Sequence, residues 1–103
     1  MNVTIRAERA DALLASRVRL PDDVVYRSFG HETVVLSLAE GKYHSVNATG
    51  GRTLEILDQV GSLSRTAKLL AEEYGRELSE VEDDLIEFCE LLVNRRLLVV
   101  EPA

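Results

Sequence analysis

The sequence has no tryptophan, two phenylalanines and three tyrosines among 103 residues, so any core it builds is aliphatic. It has one cysteine, Cys89, which excludes an internal disulfide and every zinc site made of several thiolates. The two histidines, His31 and His44, make too small a set for a metal, and no metal or other cofactor is expected. Basic residues are outnumbered, 12 Lys and Arg against 18 Asp and Glu, for a net charge of -6. Nucleic-acid binders carry basic surfaces that displace counterions from phosphates, so the acidic excess argues against that class. It suits a partner that is neutral or basic. No run of about 18 apolar residues exists, so no membrane-spanning helix is expected. The N-terminal stretch MNVTIRAERADALLASRV is charged throughout and lacks the apolar centre of a signal peptide. A cytoplasmic protein is the default. Neither G-x-x-x-x-G-K-[ST] nor G-x-G-x-x-G occurs.

What is present is enough for one domain. With 46% apolar residues, the chain sits near the lower size limit for a self-sufficient core. Residues 1–20 read as an N-terminal segment, partly mobile, ahead of a domain over 21–101. Leu13, Leu14 and Val18 offer a short apolar face that Pro21 closes. The stretch 24–46 alternates like strands. VVYRSF (24–29) and TVVLSL (33–38) flank Gly30-His31, and KYHSV (42–46) follows a turn holding Gly41. In the second run, Val34, Leu36 and Leu38 alternate against Thr33, Val35 and Ser37.

From Asn47 the period becomes helical, with Asn47 as N-cap. Gly50 and Gly51 lie in the first turns of this helix, which implies close packing against another backbone or a distorted start. Gly61 ends it and Ser62 caps the next helix. There Leu63, Ala67, Leu70 and Tyr74 share a face before Gly75. Ser79 and Glu82 read as a capping box for a third helix. LLVV (97–100) is a final apolar run that pairs as a strand or packs on the core. The expected fold class is α+β, a three-stranded antiparallel sheet followed by three helices.

The third helix carries the most informative pattern. At 100° per residue, Val81, Leu85, Phe88 and Leu92 cluster within about 60°. Ile86, Cys89 and Val93 form a second stripe about 105° away. The combined arc of about 160° exceeds the roughly 100° that seats one helix face on a core. Either the helix is buried on both sides, or one stripe lines a groove. A groove between a helix and an unpaired strand edge can take an extended peptide. Glu80, Glu82, Asp83, Asp84, Glu87 and Glu90 make the remaining surface acidic, as a solvated face or as a rim for basic residues. Cys89 reads as a small buried hydrophobe, and no nucleophile–base pair is recognisable, so no enzyme activity is expected.

The order of these features resembles the PqqD-like domains, also called RiPP recognition elements. These bind leader peptides of ribosomally made, modified peptides. The resemblance rests on Val34–Leu38, Gly41, Tyr43, Val46, Asn47, Gly50 and Gly61. It continues through the L-x-x-x-Y-G of Leu70, Tyr74 and Gly75 and the apolar third helix ending in Leu97-Leu98. It is strongest to the stand-alone leader-binding half of the split B protein of lasso peptide pathways. The version dedicated to pyrroloquinoline quinone usually has Pro-Glu-Gly where this chain has Ala39-Glu40-Gly41. The resemblance implies a winged-helix-like fold and a leader peptide added as an antiparallel strand to the third strand. Its implied contacts are Lys42, Tyr43, His44, Ser45 and Val46 on the strand, with Asp84, Leu85, Phe88, Cys89 and Leu92 on the helix. The implied partners are the precursor leader peptide, a separate cysteine-type leader peptidase and a macrolactam cyclase. Two other functions stay open: a winged-helix DNA-binding regulator, and a PqqD-type chaperone for a radical SAM peptide-modifying enzyme.

Overall fold

The computed structural model describes residues 3–101, with side chains from Glu8 onward. Helix α1 (Val3–Ala15) leads into strand β1 (Arg17–Arg19). Strands β2 (Val24–Phe29), β3 (Glu32–Ser37) and β4 (Lys42–Asn47) form an antiparallel meander in the order β2-β3-β4. Helices α2 (Ala48–Val60), α3 (Leu63–Tyr74) and α4 (Leu78–Asn94) follow, and strand β5 (Val99–Glu101) closes the chain. The fold is α+β, with the expected three-stranded sheet followed by three helices; α1 and the short β1–β5 ribbon are additions to it.

That ribbon ties the ends together. Val18 pairs with Val100. The Val18 N–H also donates to the Gly61 carbonyl at 3.1 Å, so β1 clamps the α2–α3 junction. Val18 is 4% exposed and belongs to the core, and Leu13 and Leu14 pack against it. Of the segment 1–20, expected to be partly mobile, residues 1 and 2 lie outside the described residues, and α1 begins at Val3. Leu97 and Leu98 are core residues, while Val99 and Val100 pair as strand.

The turns and caps follow local chemistry. Gly30, at φ 62°, opens the two-residue β2–β3 loop, where only glycine takes a positive φ without steric cost. The Asn47 side chain accepts the Gly50 N–H at 2.8 Å and starts α2. Ser62 accepts the Arg65 N–H and starts α3. The expected Ser79–Glu82 capping box does not form. Helix α4 begins at Leu78, with Glu77 as an N-cap that makes no side-chain bond. The Val81 N–H donates to the Glu77 carbonyl at 3.1 Å, so Ser79 already lies inside the helix, and Arg76 pairs with Glu80 and Asp84 in its first turns.

The sheet turns the more polar of its two faces inward. Thr33, Val35 and Ser37 are buried, whereas Leu38 is 59% exposed and Val34 and Leu36 are half-buried. Gly51 supplies the reason. A Cβ there would sit 2.0 Å from Thr33 Oγ1, so α2 approaches β3 closely over a small polar side chain. The Thr33 hydroxyl hydrogen-bonds the Ser28 hydroxyl at 2.8 Å and is satisfied in place. Of the two alternatives for the glycine pair, close packing is the one found.

Candidate functional site

Strand β4 is a sheet edge. It pairs with β3 on one side, from Thr33↔Val46 to Ser37↔Lys42, and with no strand among the described residues on the other. A cavity of about 600 Å³ opens beside its second half. The apolar wall combines Val46 of β4, Leu70 of α3 and Val81, Leu85 and Phe88 of α4. Thr49, Thr53, Tyr74, Arg76 and Asp84 add polar groups to its lining. Arg76 Nη1 donates to Asp84 Oδ2 at 3.0 Å. The helices that make the wall are themselves tied together. Arg52 of α2 bonds Glu73 of α3 and holds that carboxyl below its usual range. Tyr26 donates to Asp58 at 3.0 Å, joining β2 to α2; its phenol is pushed up to about 12, mainly by burial and also by that carboxylate.

The structure brings part of the expected set together. Ser45, Val46, Asp84, Leu85 and Phe88 line the cavity. Lys42, Tyr43 and His44 continue the same strand beyond the cavity wall. The pairing register puts Lys42, His44 and Val46 on the core side of the sheet with Ser37, Val35 and Thr33. Tyr43, 73% exposed, points to the opposite face with Leu36 and Val25.

Two expected helix contacts are corrected. Cys89 is 0% and Leu92 is 1% exposed, and neither lines the cavity, so both are core residues here. Burial, and then Glu90, push the Cys89 thiol up to about 11, which leaves it neutral and a poor nucleophile. The wide apolar arc of α4 is thereby resolved. Val81, Leu85, Cys89 and Leu92 are buried, Phe88 joins Val81 and Leu85 in the cavity wall, and Val93 on the far flank is 38% exposed.

Sequence patterning missed the contribution of α2. Asn47, Thr49, Gly50 and Thr53 line the cavity because the helix starts directly where β4 ends. Arg76 was also missed, although it directly follows the Tyr74-Gly75 stop of α3. A polar residue at a helix–helix turn gives no signal of the cavity it borders.

A family model described as Coenzyme PQQ synthesis protein D (PqqD) matches residues 32–98. A solved structure described as "TbiB1 in Complex with the TbiA(beta) Leader Peptide" superposes with a TM-score of 0.72 and 30% identity. That match covers 78% of this chain and 93% of the other. A second, "Lasso peptide synthetase B1 complexed with the leader peptide", also has a TM-score of 0.72, at 22% identity, covering 81% of this chain and 98% of the other. At that identity it speaks for the fold. No curated protein matches the chain.

Proposed function

The chain belongs to the PqqD family, and from that premise we propose that it is a non-catalytic adaptor for the leader peptide of a ribosomally made precursor, in a lasso peptide pathway. The observation that carries this is the open β4 edge running beside an apolar cavity walled by α4. An added strand would satisfy the edge N–H and C=O groups, and alternate side chains would enter the cavity. The 30%-identical relative was solved with a leader peptide, which supports the same ligand class here. The contact set is Lys42, Tyr43, His44, Ser45 and Val46 on β4 with Asp84, Leu85 and Phe88 on α4, within a binding domain spanning residues 21–101.

The lone thiol, buried and neutral, supports delivery rather than chemistry. Cleavage then falls to a separate cysteine-type leader peptidase and ring closure to a macrolactam cyclase. A surface remote from the cavity supports a second protein partner. Val25, Leu36 and Tyr43 form a cross-strand row on the outer sheet face, with Leu38 next along β3 and Phe29 at the far end of β2, beyond the Arg27–Val34–Ser45 row. Phe29 is 60% and Val25 48% exposed, a patch that a partner would cover.

Two properties of the chain count against the other functions. The groove-side flank of α4 presents carboxylates where a DNA-reading helix presents cations and amides. The Ala39-Glu40-Gly41 turn departs from the quinone-pathway form.

The test is calorimetric titration with the leader of a precursor encoded beside this chain's gene, followed by amide shifts. Stoichiometric binding with shifts confined to β4, the start of α2 and α4 is the expected result. Absence of heat and of β4 shifts would remove the assignment.

A further inference from the structure

The channel between β4 and α4 has a direction, and the ion pairs of two arginines mark its ends. At one end Arg76 holds Asp84 at 3.0 Å and Glu80 at 3.6 Å, near Asn47, where β4 finishes. At the other, Arg96, just beyond α4, lies 3.8 Å from Glu40 in the β3–β4 turn. Helix α4 therefore runs antiparallel to β4. A strand added antiparallel to β4 would run parallel to α4, with its N-terminal half at the Asn47 end. The 17 residues of α4 span about 25 Å, which is about eight strand residues.

Charge is unevenly distributed along that span. At 100° per residue, Glu80, Asp84, Glu87 and Leu91 share the flank that borders Phe88. The Asn47 end thus holds two carboxylates, Glu80 and Asp84, against the one guanidinium of Arg76, and Glu87 follows on the same flank at mid-helix. The Lys42 end holds Lys42, Arg95 and Arg96 against Glu40.

The backbone at Arg96 adds an independent observation. Its φ is 59°, the left-handed region. The Leu97 N–H donates to the Leu92 carbonyl at 2.8 Å and the Arg96 N–H to the Val93 carbonyl at 3.0 Å. This is a Schellman closure with arginine where glycine is the inexpensive residue. What the arginine adds is a cation at the end of the channel.

We infer that the groove reads charge order: it takes a leader segment that is basic in its N-terminal half and acidic in its C-terminal half, and this order sets strand direction and register. The inference rests on the leader-binding function proposed above.

The test displays random peptides of about twelve residues, longer than the channel, against the full chain. The expected enrichment is Lys or Arg early and Asp or Glu late, with binding that weakens steeply at high salt. The Asp84→Lys/Glu87→Lys variant should lose the early basic preference. Arg96→Gly should raise the melting temperature yet weaken the enriched peptides by up to about fivefold, the scale of one exposed ion pair. A purely structural role for Arg96 would not separate stability from binding in this way.

Ser45→Pro and Val46→Pro serve as edge controls, because consecutive strand amides point in opposite directions and one of the two must face the open edge. If the peptides are lost in a folded proline variant but show no charge order or the reverse order, or bind Arg96→Gly unchanged, charge reading is overturned while strand addition stands. If nothing is enriched, or binding survives both proline variants, strand addition itself fails and takes the charge reading with it.

Discussion

Phe88 and Leu85 are three residues apart on α4 and both border the cavity, but they belong to different environments. Leu85 is 2% exposed and packed in the core, whereas Phe88 is partly buried against it. Leu85→Ala should therefore cost about 2–5 kcal/mol of stability, as buried leucine truncations do. Phe88→Ala should cost less stability and weaken leader binding tenfold or more, about 1.4 kcal/mol or above. Urea unfolding and titration on the same two variants check this. Equal stability losses with unchanged affinity for Phe88→Ala would place the ligand elsewhere. The sequence placed both residues on one stripe and could not divide them, because a 3.6-residue period gives angle around the helix but not what stands opposite. Cys89 shows the same gap. Its stripe was legible, while its complete enclosure depends on the elements packed around α4.

Among the elements, α4 is the one with an unfinished end. Glu77 has the extended backbone of an N-cap, at φ -62° and ψ 133°, without a side-chain bond to the first turn. Its longer side chain reaches the orphan amides less well than serine or aspartate. Glu77→Ser should stabilise the fold by about 1 kcal/mol, read as a higher urea midpoint with an unchanged slope. Leader affinity should not move, since Glu77 is not in the cavity wall. The two caps that do bond, Asn47 and Ser62, were visible in the sequence because each stands between a strand or turn signal and an apolar period. The α4 start was misplaced by a serine that matched a motif two residues too late. The observed boundary is marked by the Val81 N–H donating to the Glu77 carbonyl at 3.1 Å, with Arg76 paired to Glu80 and Asp84 beside it.

At the scale of the whole molecule, the sheet has one covered face and one apolar face in the open. Val25→Lys and Leu38→Lys place charge on the outer face, far from the α4 side of β4. Both side chains are already exposed, so stability should change by no more than about 0.5 kcal/mol. Leader affinity should hold, while cleavage of the precursor by a mixture of this chain and the proposed leader peptidase should fall at least tenfold, about 1.4 kcal/mol in activation free energy. Unchanged cleavage would show that the outer face has no part in handing over the leader. Among the described residues no helix is long and apolar enough to cross a membrane, so this patch is not part of a spanning helix.

Much of the protein was determined by the sequence alone: three strands, the helices with two of their caps, an aliphatic core and the lack of a reactive thiol pair. These depend on neighbours within a few residues, through side-chain period and turn chemistry. Tertiary structure alone decided which face of the sheet is inside, which stripe of α4 borders the cavity, and how α4 runs relative to β4. Val34, Leu36 and Leu38 look like the better core face by composition. The close approach of Gly51 to Thr33 selects the other one. The direction of the groove follows from ion pairs joining residues 8 and 56 positions apart, Arg76 to Asp84 and Glu40 to Arg96. The longer of those separations carries no periodic signal, because it exists only after the chain has closed.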